Sequence, residues 1–177
     1  MNKHKLDAGN IFATPYTLSL VVLGFAAFGK WTTLVFSVGF VGGLLLWLRF
    51  PTRAQFAEIK APFWITLGCF ALHRIEENFL KFQDELSKLT GAPVPSVGSP
   101  SLIALVLLSV GGWIATPLLM NRNLKIGTFF AWSFFSSMGL TELAHFIFPF
   151  FLSQPYGYFP GIDAAPFFGA PDTSSFC

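Results

Sequence analysis

The sequence predicts an all-α fold, a polytopic membrane helical bundle of about five transmembrane helices in a single domain, residues 1–177. Of the residues, 53% are hydrophobic and only 11% are charged, whereas about a quarter of a soluble domain's residues are charged. The apolar residues also run in stretches of about twenty, which matches the hydrocarbon thickness of a bilayer. The net charge of +2, without a basic stripe, argues against a nucleic-acid partner and leaves membrane lipids as the expected surroundings.

Hydropathy separates five predicted spans, each bounded by polar or turn-forming residues. They cover residues 11–29, 31–48, 61–82, 101–120 and 127–152. Only Lys30 separates the first two spans, so we expect a helical hairpin there and an uncleaved first helix rather than a signal peptide. The Pro-, Gly- and Ser-rich stretch 83–100 is predicted to be a connector. Because Pro recurs in 153–177, that segment is predicted to be a non-helical aromatic tail.

The basic residues between the spans predict the orientation of the chain. With a cytoplasmic N-terminus, the inner segments would carry Lys3, Lys5, Arg49, Arg53, Lys60, Arg122 and Lys125. The outer segments would carry Lys30, Lys81 and Lys88. Since positive residues concentrate on the cytoplasmic side, we expect a multi-pass protein with its N-terminus in the cytoplasm.

Small residues recur at four-residue spacing in two of the spans. Gly39 and Gly43 lie in the second span, and Ser133 and Ser137 lie in the fifth. Small residues at this spacing let membrane helices approach closely, so each pair predicts a packing face.

The third span carries charge inside an apolar stretch, H-R-I-E-E at 73–77. At 100° per residue, His73, Glu76 and Glu77 project within an arc of about 100° on one helix face. Arg74 points about 100° away, and we expect it either to pair with a carboxylate or to contact a different helix.

A second polar pair, Glu142 and His145, lies three residues apart in the fifth span. Glu142 is 17 residues beyond Lys125, just as Glu77 is 17 residues beyond Lys60. If both lysines mark the same membrane surface, both carboxylates lie roughly 25 Å from it, at about 1.5 Å per residue. The third and fifth spans run parallel in the predicted topology, so the two polar faces can meet.

Ionised carboxylates in a bilayer cost at least a few kcal/mol and are avoided unless protonated, paired with cations or bound to a metal. Imidazole and carboxylate ligands suit a divalent transition metal, here iron, zinc or manganese, as one or two ions. The predicted ligands are His73, Glu76, Glu77, Glu142 and His145. The three glutamates among them are also the candidate catalytic groups. Pro149, four residues after His145, is predicted to kink or end the helix.

The H-R-I-E-E stretch resembles the signature of a bacterial membrane protein family named for its H-x-x-E-E motif. Y-F-P-G at 158–161 is similar to a Y-x-P-G element of that family, so the resemblance extends over about 61–162. It implies a His/Glu site in a protein of the bacterial inner membrane and specifies no reaction.

Three functions are compatible with these features. The first is a membrane metalloenzyme that oxidises or hydrolyses an apolar or lipid-like small molecule. The second is a metal-free acid/base isomerase of a lipid-soluble substrate, in which one buried Glu stays protonated. The third is a non-catalytic subunit that binds a pigment or haem through a histidine and has other membrane subunits as partners.

Overall fold

The computed structural model describes residues 8–50, 54–147 and 150, and in these residues the chain forms helices and no strands. The helices are α1 (Ala8–Arg49), α2 (Phe56–Phe79), α3 (Phe82–Thr90), α4 (Pro100–Asn121), α5 (Lys125–Ser136) and α6 (Ala144–Ile147). A π-helical segment, Ser137–Thr141, follows α5 directly. The predicted all-α class is therefore confirmed for the described part of the chain.

Helix α1 consists of two arms, residues 8–28 and 30–49, that meet at Gly29. Gly29 has φ 71° and ψ −176°, a conformation that is essentially restricted to glycine. Gly24 in the first arm lies directly against the ring of Phe36 in the second, although twelve residues of straight helix would separate them by about 18 Å. The chain thus reverses at Gly29, as the predicted hairpin requires.

The second arm of α1 packs tightly against α5 and the π-helical segment through small residues. A Cβ atom on Gly43 would lie 2.5 Å from Cα of Ser133, and one on Gly39 would lie 2.6 Å from Cα of Ser137. The two small-residue pairs identified in the sequence therefore face each other and allow backbone contact.

The fifth predicted span is not one continuous α-helix. After Ser136 the backbone adopts π geometry as far as Thr141, turns at Glu142 and Leu143, and resumes as the short helix α6. Thr141 Oγ1 donates a hydrogen bond to the Phe36 carbonyl at 3.5 Å, which ties the π-helical segment to the second arm of α1. Pro149 and its predicted kink lie outside the described residues.

The predicted third span and connector also differ from the structure. Helix α2 begins at Phe56, earlier than the predicted residue 61, and the chain turns at Lys81, whose φ is +54°. The next residues form α3 instead of an irregular connector. Prolines occur only after Gly91 here, whereas Asp84 and Glu85 in the first turn of α3 and Lys88 in its last turn favour a helix.

An aromatic core holds the bundle together. Trp113 of α4 stacks on Phe40 at 5.9 Å between ring centroids and lies 5.3 Å from Phe134 of α5. Phe63 of α2 in turn lies 5.1 Å from Phe134. Four elements of the bundle therefore meet at this group of rings, which is buried.

Two helical segments of the described chain, Ile11–Arg49 and Pro100–Asn121, are long and apolar enough to cross a membrane. Within the most apolar 18-residue stretch of each, only 28% and 22% of the residues are buried inside the protein. The core helix of a soluble protein is mostly buried. Five spans and the predicted orientation stay predictions. The N-terminal residues 1–7 and the predicted tail, 153–177, lie outside the described residues.

Candidate metal centre

Four of the five predicted site residues come together between α2 and the chain that follows the π-helical segment. Nε2 of His73 lies 2.8 Å from Oε2 of Glu142 and 3.4 Å from Oε1 of Glu77. Nε2 of His145 lies 3.5 Å from each of the same two oxygens. We call these four residues, His73, Glu77, Glu142 and His145, the His/Glu cluster.

Local helix geometry explains how each element supplies its pair. His73 and Glu77 are one turn apart on α2, so both side chains leave the same face. Glu142 stands in the turn after the π-helical segment, and His145 follows in α6. The two imidazole rings meet edge to face with centroids 4.7 Å apart.

The cluster is removed from solvent, which makes its charge balance decisive. His73, Glu77 and His145 are 3–5% exposed, and the side chain of Glu142 is 17% exposed. Arg74 forms an ion pair with Glu77, so the first of the two expectations for Arg74 is correct. Glu142 has no arginine or lysine among the ion pairs that the structure describes for it.

The donor set fits a transition metal. One donor atom each from His73, Glu142 and His145 can be chosen so that all three lie within 4.8 Å of one another. Zinc bonds of 2.0–2.2 Å in tetrahedral geometry place neighbouring donors about 3.4 Å apart. Three of the four histidine–carboxylate contacts are 3.4–3.5 Å, and the fourth, His73–Glu142, would need to lengthen from 2.8 Å.

Orphaned polar atoms also support the fit. Oε2 of Glu142 is buried and accepts no well-directed hydrogen bond, although Nε2 of His73 is 2.8 Å away. Nδ1 of His73 is likewise buried and makes no hydrogen bond within the described chain. Buried polar atoms without partners are rare in native proteins and often indicate an ion or a functional role.

Glu76, the fifth predicted ligand, is only half-buried, and the contacts that define the cluster come from the other four residues. Adjacent helical positions point 100° apart. Glu76 therefore leaves α2 in a different direction from Glu77, within the broad face that also carries His73. Its role as a ligand or catalytic group stays a prediction.

Three residues of the His/Glu cluster, all but His73, form part of the wall of a cavity of about 410 Å³. Arg74, Glu77, Thr141, Glu142 and His145 line one part of it. The remaining wall is mostly aromatic and aliphatic and comes from α1, chiefly its second arm, from Phe70 of α2, from α3 and from α4. An apolar cavity with a few convergent polar groups is the usual form of a small-molecule site.

Sequence reasoning missed two parts of this cavity. The first is α3, whose buried Phe82 and Leu86 face the cavity, with the Phe82 ring 5.0 Å from that of His145. The spacing of Phe82 and Leu86, one helical turn apart in a polar stretch, was a usable signal. The second is the aromatic end formed by Phe40 and Trp113, which no local pattern distinguishes from ordinary core.

No protein-family model, curated protein or solved structure matches this chain. The resemblance to the H-x-x-E-E family therefore stays a prediction that rests on the motif at residues 73–77. The Y-F-P-G element at 158–161 lies outside the described residues.

Proposed function

We propose that this chain is an integral membrane protein in which the His/Glu cluster binds a divalent transition metal, and that it acts as a metalloenzyme on an apolar or lipid-like small molecule. The observation that carries the proposal is the convergence of two buried imidazoles and two carboxylates, three of which, Glu77, Glu142 and His145, lie in the wall of an apolar cavity.

The apolar outer surface supports a membrane location. Large hydrophobic side chains such as Val22 and Leu107 are 67% and 68% exposed, and many others on α1 and α4 are similarly uncovered. A continuous apolar exterior of this extent is unstable in water but matches lipid. Membrane lipids are therefore the proposed surroundings, in a bacterial inner membrane with the N-terminus in the cytoplasm.

Charge balance supports a metal in the cluster. Arg74 compensates Glu77, which leaves the Glu142 carboxylate to be balanced by protonation, by a histidinium or by an ion. Uncompensated charge in a low-dielectric site is costly. A divalent ion held by His73, His145 and Glu142, with Glu77 as a fourth donor, would neutralise both carboxylates and leave the remaining positive charge on Arg74, whose side chain is 52% exposed. The present geometry favours one ion, since only three or four donors converge.

The chemistry follows from where the side chains point. A bound divalent ion would supply Lewis acidity at the cavity wall. Glu142 lines the cavity, and with Oε2 on the ion its second carboxylate oxygen would accept or return a proton. Glu77 is oriented by Arg74, and the apolar walls exclude water from the reacting group.

Metal content of detergent-purified protein, prepared without chelator, tests the proposal. We expect about one metal ion per wild-type chain, because ligand sets of this kind retain their ion. Glu142→Gln and His145→Ala should both lose it. Glu85→Gln is the matched control, because Glu85 pairs with Lys88 on α3 outside the cluster. A wild-type content below about 0.2 per chain would contradict the metal site.

One observation favours a second candidate, metal-free acid/base isomerisation. The 2.8 Å contact between His73 and Glu142, together with the Arg74–Glu77 pair, could neutralise both carboxylates if His73 is protonated. Proton exchange between these groups and a substrate would then suffice for moving a double bond. This candidate predicts a metal-free wild type in the experiment above.

A further inference from the structure

Arg74 is a charged residue of the cavity wall that cannot itself bind the metal. It lines the cavity together with Glu77 and Glu142, and its side chain is 52% exposed. Within the described residues its one hydrogen bond runs from Nη1 to Oε2 of Glu77. A guanidinium has five N–H donors, so most of the donors of Arg74 are open to a further acceptor.

A bound divalent ion changes the charge balance around Arg74. The cavity wall carries the Arg74 guanidinium and the carboxylates of Glu77 and Glu142, and imidazoles that bind a metal are neutral. The two positive charges of the ion offset the two carboxylates, so the loaded site keeps one positive charge, on Arg74. An unbalanced cation in apolar surroundings is costly, and a ligand with one negative charge would neutralise it.

The neighbours of Arg74 indicate what the rest of such a ligand would contact. Phe70, Arg74 and Glu77 follow one another about one helical turn apart on the cavity side of α2. The His/Glu cluster lies on the Glu77 side, and an aromatic wall lies on the Phe70 side, where Phe70 and Trp113 meet edge to face at 5.5 Å. A head group at Arg74 therefore has the metal centre on one side and aromatic rings on the other.

We propose that the metal-loaded cavity binds an amphiphile with a singly charged oxyanion head group, a carboxylate or a phosphodiester, and that Arg74 recognises this head. The N–H donors of a guanidinium match the oxygens of both groups. The apolar walls from α1 and α4 receive the rest of the molecule. The inference rests on the proposed function, because the ion is what leaves the charge of Arg74 unbalanced, and it adds the class of ligand.

Equilibrium binding of matched probes to the full chain in non-ionic detergent tests the inference, at mildly alkaline pH where the acids are ionised. The radiolabelled probes are palmitic acid, its primary amide and hexadecyl methyl phosphate, which share an alkyl body and carry a carboxylate, no charge and a phosphodiester. The two anions distinguish the two kinds of head group. Cholanic acid and its amide form a second pair, whose fused-ring body makes the result independent of the shape of the apolar part.

We expect the metal-loaded wild type to bind an anion at least about tenfold more tightly than the matching amide. Arg74→Gln should abolish this preference without changing amide binding, whereas Arg74→Lys, which keeps the charge, should retain most of it. Removal of the ion by a chelator should also weaken the preference, because Glu77 then balances Arg74. Lys88→Gln is the matched control for loss of one positive charge, since Lys88 is 71% exposed and pairs with Glu85 on α3.

Equal binding of anions and amides by the metal-loaded wild type would overturn the inference, and this comparison decides the question even if Arg74→Gln does not fold. An undiminished preference in a folded Arg74→Gln variant would overturn it as well. Metal content measured on the same samples separates the two proposals. A wild type that holds metal without preferring an anion rejects the ligand class and leaves the metal site. A metal-free wild type whose anion preference depends on Arg74 rejects the metal site and leaves Arg74 as the recognition residue, and a metal-free wild type without any preference rejects both.

Discussion

Glu77 illustrates how single residues set the properties of this site. Its carboxylate contacts both imidazoles and the Arg74 guanidinium, so it has a cation partner even without a metal. The side chain of Arg74 is 52% exposed, whereas that of Glu77 is 5% exposed. Removal of Arg74 therefore leaves a buried carboxylate without its cation unless the cluster holds an ion.

At the scale of single residues, the sequence predicted that the four members of the His/Glu cluster come together. Helical spacing placed His73 with Glu77, and equal distances from Lys60 and Lys125 placed Glu142 at the same level. Glu76 was included because spacing alone allows two neighbouring carboxylates on one broad face. Which of two adjacent residues points into a site depends on how the helix is rotated in the bundle, and that rotation is set by packing.

Substitutions at this ion pair separate metal binding from structural stabilisation. We expect Glu77→Gln to lower the metal content strongly while the protein stays folded, because an amide tolerates burial better than an unpaired carboxylate. Arg74→Ala should keep the metal and, because the ion then compensates the buried Glu77 carboxylate, lower stability by only about 1 kcal/mol or less. Metal analysis and thermal unfolding on both variants provide the check. Equal metal loss in the two variants would contradict this division of roles.

At the scale of elements, the close packing of α1 on α5 positions Glu142. Gly39 and Gly43 allow the backbones to touch at Ser137 and Ser133, and the π geometry begins at the same serine, Ser137. The sequence predicted the two small-residue faces but not the π-helical segment. A five-residue change of helical geometry leaves the hydrophobic pattern almost unaltered, and π segments inside helices are frequent at functional sites.

Alanine substitution of two helical glycines tests the packing of α1 on α5. A Cβ atom at Gly43 would lie 2.5 Å from the Ser133 backbone, whereas one at Gly68 in α2 meets no atom within 4 Å. We expect Gly43→Ala to destabilise the protein by about 1–3 kcal/mol, because the backbones must move apart. Gly68→Ala should be neutral or stabilising by up to about 1 kcal/mol. Thermal unfolding in detergent measures both, and equal stability of the two variants would rule out the tight contact.

At the scale of the whole molecule, the exposed apolar surface and the buried polar site are opposite to the arrangement of a soluble protein. The outward faces of α1 and α4 are apolar, and the ionisable cluster lies inside. Composition predicted the apolar exterior, and the spacing of His and Glu along the helices predicted the polar cluster. The cavity could not be predicted, because it arises where five separate stretches of chain fail to fill the space between them.

Reporter fusions test the predicted topology. A reporter that is active only in the cytoplasm should be active when fused after Arg122 and inactive when fused after Ser153, because basic residues concentrate on the cytoplasmic side. The opposite pattern would overturn the orientation, and activity at both positions would reject a fifth crossing.

X-ray absorption at the edge of the metal in the purified protein tests the His/Glu cluster most directly. In the wild type we predict nitrogen and oxygen neighbours at about 2.0–2.2 Å, with no sulfur, and outer-shell scattering from two imidazole rings. His145→Ala loaded with the same metal should show one ring at most, and the Glu85→Gln control should show two. A protein without metal, or a metal with sulfur neighbours or without imidazole scattering, would contradict the assignment of His73 and His145 as ligands.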